Sequence, residues 1–267
     1  DWTFFRKQSM AKWNTFPYPD PAYRYTPERL KKAWGQLHRG DAEPFPKKAA
    51  IIDAWMAYHQ GEYQKATELG LAAGGAGITV ANKATAMYAT YLENNKKTKL
   101  ALLEEVATRA QLQQRDEPKN PNAYYLQAYA LGRYAQHLSV AKALAQGIGP
   151  KIKAAIDTAL KLAPKHADAH LAAGSYHAEI IDKIGAMIGA LTYGASKDEG
   201  LKHYQTAIKL NPDSAITKIE YANGLVMLQG KKSLAQAETL YAEAAQCKAA
   251  DATERLDVEL ARAELEA

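Results

Sequence analysis

Lys151–Pro164 reads KIKAAIDTALKLAP, and Glu199–Pro212, 48 residues later, reads EGLKHYQTAIKLNP. Thr158/Thr206, Ala159/Ala207, Lys161/Lys209, Leu162/Leu210 and Pro164/Pro212 coincide between the two. In the first copy Ile152, Ile156, Ala159 and Leu160 fall at i, i+4, i+7 and i+8, one face of an α-helix; Leu201, Tyr204 and Ile208 repeat that face in the second. A third marker, Asn120-Pro121, stands 43 residues before Pro164. Each marker introduces a stretch of small residues and tyrosine: Tyr124 to Tyr134, Ala167 to His177, Ala215 to Leu225. Such self-similarity marks stacked supersecondary units. No segment shows sustained alternation with β-branched residues, so the spacing predicts an all-α chain with essentially no sheet.

Working outward, Leu100, Leu103, Val106, Ala107 and Ala110 form another helical face, as do Ala84, Met87, Tyr88 and Tyr91. Helical pairs are expected over 47–78, 79–115, 120–163, 167–211 and 215–248. A last helix from Thr253, with Leu256, Leu260, Ala263 and many charges, suits a polar terminal cap. The 267 residues are 47% hydrophobic and 24% charged, an ordinary globular composition long enough for a sizeable core. One cysteine, Cys247, excludes an internal disulfide and any multi-cysteine metal centre. The longest charge-free stretch, Ile184 to Ser196, is too short to span a bilayer.

The net charge of +5 is confined to the first fifty residues, which hold ten basic and five acidic side chains. The remainder balances and shows no basic stripe, which argues against a nucleic-acid partner. All four Phe (Phe4, Phe5, Phe16, Phe45) and three of four Trp (Trp2, Trp13, Trp34) also precede residue 46. Residues 1–46 are therefore expected to be an aromatic, basic, proline-punctuated arm packing its rings on a helical repeat domain over 47–267. Within the arm, Thr26 caps, Pro27 opens and Leu30, Trp34 and Leu37 line a short helix.

Candidate chemistry is sparse. His166, His170 and His177, near Asp168 and Glu179, include an i, i+4 pair of the kind that can ligate a metal. No HExxH occurs, however, and His177 falls at a packing position, so no metal is expected. Gly74-Gly75-x-Gly77 ends a helix instead of opening one after a strand, which is the wrong context for a phosphate loop. No GxSxG appears, and Cys247 lies in a run of alanines. The residues propose no catalytic set and no cofactor: the chain reads as a non-enzyme.

Ala54-x3-Tyr58-x2-Gly61-x-Tyr63-x2-Ala66 resembles the tetratricopeptide (TPR) signature, with Gly174 and Ala222, each ten residues after a Pro marker, at its small-residue position. Gly132, eleven after Pro121, is one residue out of register. The resemblance covers roughly residues 47–250. It implies a TPR-like solenoid of about five helical hairpins with inserted segments and a C-terminal capping helix. TPR units are about 34 residues long, so the two marker spacings imply insertions, Ser139–Pro150 and Ile184–Gly194. Both are apolar and glycine-rich, and equivalent turns of such a stack share one edge. Two readings stand: mutually packed helix extensions, or an exposed apolar patch for a partner, lipid or small ligand at Ile148, Ile184, Met187, Ile188, Leu191 and Tyr193.

Ala167–Gly230 further resembles the regulator-of-microtubule-dynamics family and the T-component of TRAP transporters, through His170-Leu-Ala-Ala-Gly174, Lys183 to Gly194 and Ile219-Glu-Tyr-Ala-Asn-Gly-Leu225. The whole chain resembles exported TPR proteins of proteobacteria. These resemblances imply a periplasmic or otherwise exported protein, a cytoplasmic one being the alternative. They imply a scaffold or adaptor that binds a protein or peptide, or else a transport accessory holding an apolar small ligand or lipid. The TPR groove would be lined by Trp55, Tyr58, Tyr129, Arg133, Gln136, Asp168, Leu171, Ser175, Ile219 and Asn223.

Overall fold

A computed structural model describes residues 12–266, so Trp2, Phe4 and Phe5 lie outside the described residues. The helices in chain order are α1 (Pro27–Leu37), α2 (Ala49–His59), α3 (Tyr63–Ala73), α4 (Gly77–Tyr91), α5 (Lys96–Asp116), α6 (Pro121–Ala135) and α7 (Val140–Ala145). They continue with α8 (Ile148–Leu162), α9 (Ala167–Ile184), α10 (Ala186–Tyr193), α11 (Lys197–Leu210), α12 (Ala215–Gln229), α13 (Leu234–Ala245) and α14 (Ala252–Glu266). No strand occurs among the described residues, and the class is all-α as the spacing predicted.

The start signals obey local chemistry. Asn95, Asn120, Ser139, Ser196 and Ser214 each accept a backbone N–H of their own first turn, the usual role of short polar side chains at a helix N-cap. His166 does the same through Nδ1, 3.1 Å from Ala169 N. This pattern corrects the third repeat marker. Pro164 and Pro212 lie three residues ahead of the first helical residue, whereas Pro121 is itself the first residue of α6. The equivalent of Pro164-x-His166 and Pro212-x-Ser214 is Pro118-x-Asn120. Ten residues after Pro118 stands Ala128, buried like Gly174 and Ala222. Gly132 has open space where a Cβ would be and carries no packing role among the described residues.

The chain divides into two compact units. The first holds the described residues up to Leu37, Glu43–His137 and Ala250–Thr253. Here α2/α3 and α4/α5 form hairpins, with α6 against α5 and α4. Aromatic residues ahead of α2 lie on these helices. Trp13 stacks on Tyr88 at 4.1 Å, and Trp34 of α1 meets Trp55 edge-on at 5.6 Å. Ala250–Thr253 close the unit from a great sequence distance. His59 Nδ1 pairs with Asp251 at 2.7 Å, both buried, and Thr253 Oγ1 lies 3.0 Å from both Tyr58 Oη and Tyr63 Oη. Between α4 and α5 runs a buried polar seam. Arg109 donates to Asn82 Oδ1 (2.9 Å), Thr85 Oγ1 (2.7 Å) and Glu105 (2.8 Å), and Gln113 donates to Thr79 Oγ1 (2.9 Å).

The second unit holds His38–Ala42, Leu138–Ala249 and the residues from Glu254 on. Here α9 pairs with α11, α12 with α13, and α12 also lies against α9. Tyr204 of α11 is the wedge of this packing. A Cβ at Gly174 would stand 2.9 Å from its ring, and one at Gly224 only 2.3 Å. Two helices approach an aromatic face this closely only where side chains are missing. The ring also stacks on Tyr221 at 5.3 Å, and its hydroxyl donates to Ser175 Oγ at 3.2 Å. Val258 and Ala261 of α14 cover Ala215, Ile219 and Ala244.

Candidate functional site

Four of the expected groove residues belong to the core and do not face a groove. Trp55 and Tyr58 are buried because Trp34 and the Thr253 hydroxyl occupy the space beside them. Leu171 belongs to the cluster around Tyr204 and Tyr221, and Ile219 is covered by α14. Asp168 is half-buried, and its backbone N–H donates to Gly40 O at 3.0 Å. The residue before α2 that plays the equivalent part in the first unit is Glu43, which accepts from buried Asn122 at 2.6 Å. Both Asp168 and Asn122 lie four residues after their Pro marker, so in each unit that position is taken by residues from the segment preceding α2.

Eleven residues after each marker come Tyr129, Ser175 and Asn223, all half-buried. Each is held by a hydrogen bond from a neighbouring helix. Tyr129 Oη lies 3.0 Å from Thr90 Oγ1 of α4, Ser175 Oγ donates to Glu220 of α12 at 3.2 Å, and Asn223 Oδ1 accepts from Tyr241 Oη of α13 at 2.7 Å. Glu220 and Tyr241 were not legible as site residues, because their part depends on which helix they face across the packing. Burial holds the Tyr241 hydroxyl above its usual range.

The first unit offers the more pronounced chemistry. The Arg133 guanidinium lies over the Tyr129 ring, 5.3 Å from its centroid, and its Nη1 donates to exposed Gln136 at 3.4 Å. Burial, and then the charges of Lys99, Lys96 and Arg133, lower the pKa of nearby His137. The end of α6 and the start of α5 thus place cations around a ring held by Thr90.

The histidines do not converge on a metal. His166 is the buried cap of α9, His177 Nδ1 accepts the Ser196 N–H at 3.2 Å, and His170 Nδ1 meets His203 Nδ1 at 2.9 Å. Among the described residues no group of three or more His, Cys, Asp or Glu side chains is arranged to hold an ion. Cys247 packs beside the Ile219–Val258 cluster, and burial raises its thiol pKa.

The two insertions become short helices, α7 and α10. Ile148, expected in an apolar patch, is buried at the start of α8, and Ile184 and Tyr193 are half-buried. Met187, Ile188 and Leu191 are exposed by 75%, 53% and 84%. The insertions are neighbours, as a Cβ at Gly149 would stand 2.9 Å from the Tyr193 ring.

Comparison with known proteins places this geometry. The family model described as "Regulator of microtubule dynamics protein 1-3" matches residues 61–266. The crystal structure of a thermophilic TPR protein of Thermus thermophilus superposes with a TM-score of 0.54 at 17% identity, over 80% of this chain and 97% of that one. This likeness concerns the fold. No curated protein matches the chain in sequence.

Proposed function

The chain belongs to the regulator of microtubule dynamics protein 1-3 family, and on that premise we propose that it is a non-catalytic module that binds an acidic protein segment at the end of α6. Its TPR-like fold suggests a protein-interaction scaffold. The observation that carries the finer reading is the Arg133 guanidinium stacked over the half-buried Tyr129 ring, with Lys96 and Lys99 close by. The ring costs little entropy to hold, since Thr90 already fixes its hydroxyl. A guanidinium on an aromatic face is a common energetic centre of an interface. The cations would supply orientation and a fast, salt-sensitive encounter.

The test is capture of peptides from an acidic, aromatic-containing library by the full chain. Wild type is expected to retain a subset, and Arg133→Glu to weaken capture at least about ten-fold. Tyr129→Ala should weaken it comparably, with unchanged far-UV circular dichroism. Capture that survives the charge reversal overturns the assignment.

A further inference from the structure

The sequence of α10, AMIGALTY, has no charged residue, and among its eight positions Gly189 alone is buried. Gly189 faces Ile180 and Ala195. Met187 and Leu191, two residues to either side of it, point about 160° away at 100° per residue, and Ile188 shares their side. A helix apolar all round is ordinarily buried on every face. Here the outward face, where a solvated helix carries charges, holds the three most exposed large apolar side chains of the described residues. In the other insertion, whose Gly149 lies against Tyr193, Val140 and Leu144 are also exposed.

The charge within the two insertions is positive, while carboxylates stand at their ends. Residues 138–153 and 183–197 contain Lys142, Lys151, Lys153, Lys183 and Lys197 and no carboxylate. Lys153 is engaged by Asp157 (2.7 Å) and Lys183 by Glu179 (2.8 Å), carboxylates just outside the two segments. Asp182 and Asp198 also flank α10. Lys142, Lys151 and Lys197 are exposed and form no ion pair among the described residues.

We propose that α10 and the α7–α8 corner form a docking surface for an anionic lipid bilayer, with Met187, Ile188 and Leu191 entering the headgroup–acyl boundary and Lys142, Lys151 and Lys197 meeting anionic headgroups. Protein hot spots sit in well-packed, fully desolvated pockets. Met187, Ile188 and Leu191 are instead exposed by 75%, 53% and 84% on one short helix, as side chains that enter a soft boundary must be. Interfacial helices combine an inserted apolar face with flanking basic residues, and juxtamembrane lysines are drawn to anionic leaflets. No described helix is long and apolar enough to cross a membrane, so the association is peripheral and weakened by salt. Two short helices are a modest anchor, comparable to a single weak signal of the kind that gives reversible binding.

Flotation of the full chain with vesicles tests this. Vesicles of phosphatidylcholine mixed with phosphatidylglycerol should carry the protein, phosphatidylcholine alone should carry much less, and added salt should release it. The double variant Met187→Asp/Leu191→Asp should lose at least about ten-fold of the bound fraction, with circular dichroism and melting unchanged because both side chains are exposed. Lys142→Glu/Lys197→Glu should reduce binding to the mixed vesicles alone. Flotation with neither vesicle overturns the proposal, as does flotation that the double variant leaves intact. So does a wild-type dimer that this variant converts to a monomer without any flotation, which would assign the face to a second copy of the chain.

Discussion

The two units join neighbouring helices by opposite means. In the first, α4 and α5 meet through Arg109, Asn82, Thr85, Gln113 and Thr79, a seam of hydrogen bonds in a dry environment. In the second, α9, α11 and α12 meet around one ring, Tyr204, admitted where Gly174 and Gly224 lack side chains. The polar seam specifies register by directional partners, and it leaves Asn82 Nδ2 and Gln113 Oε1 without a hydrogen bond among the described residues. The aromatic wedge specifies register by shape, and it tolerates no added volume. One joint is vulnerable to deletion and the other to insertion.

The contrast can be broken first at Arg109. Arg109→Ala removes a fully buried cation and strands its partners, with an expected loss of about 3–5 kcal/mol in denaturant unfolding. A loss near zero would show that the seam carries no stability. Next, Gly174→Leu or Gly224→Leu drives a side chain into the Tyr204 ring and should cost about 3 kcal/mol by overpacking. Hydrogen exchange should place that loss in α9, α11 and α12, and protection unchanged there would refute the wedge. Tyr204→Phe keeps the shape and removes only the bond to Ser175, so about 1 kcal/mol is expected.

The smallest effect separates the units by pH. Burial, then the neighbouring imidazoles of His170 and His177, hold His203 at about 4, below its ordinary 6.5. A histidine whose folded pKa is depressed takes up protons more readily when unfolded. Its contribution is therefore complete above 6.5 and is lost as pH falls from 6.5 towards 4. Stability of the second unit should decline over that window, and His203→Gln should flatten the slope. Burial brings Arg109 down to about 10, so it stays charged throughout and the polar seam should not respond. Identical pH slopes in wild type and His203→Gln would dismiss the histidine contact as an energetic element.

Helices and their order were legible because each rests on local chemistry, such as a proline in the turn and a capping side chain two residues on. Asn120-Pro121 misled because two prolines stand three residues apart and the later one sits inside the helix. The candidate site was less legible. Trp55 and Tyr58 have the spacing of groove residues, but nothing local tells that Trp34 and Thr253 will lie on them. Ile219 is likewise a groove position by count and a core residue because α14 folds over it. The packing role of Gly224 was not legible, since a helical glycine becomes informative only when the ring that fills its vacancy is known.

The link from His59 to Asp251 spans 192 residues, and its consequence lies in the timing of synthesis. A nascent chain has made all the helices of the first unit by residue 137, yet it still lacks the carboxylate that completes them. Until residue 251 leaves the ribosome, the buried His59 lacks the Asp251 carboxylate, so that late stretch governs when the earliest helices settle. A fragment ending near residue 137 is therefore expected to misbehave for want of a short segment that a tidy boundary would discard.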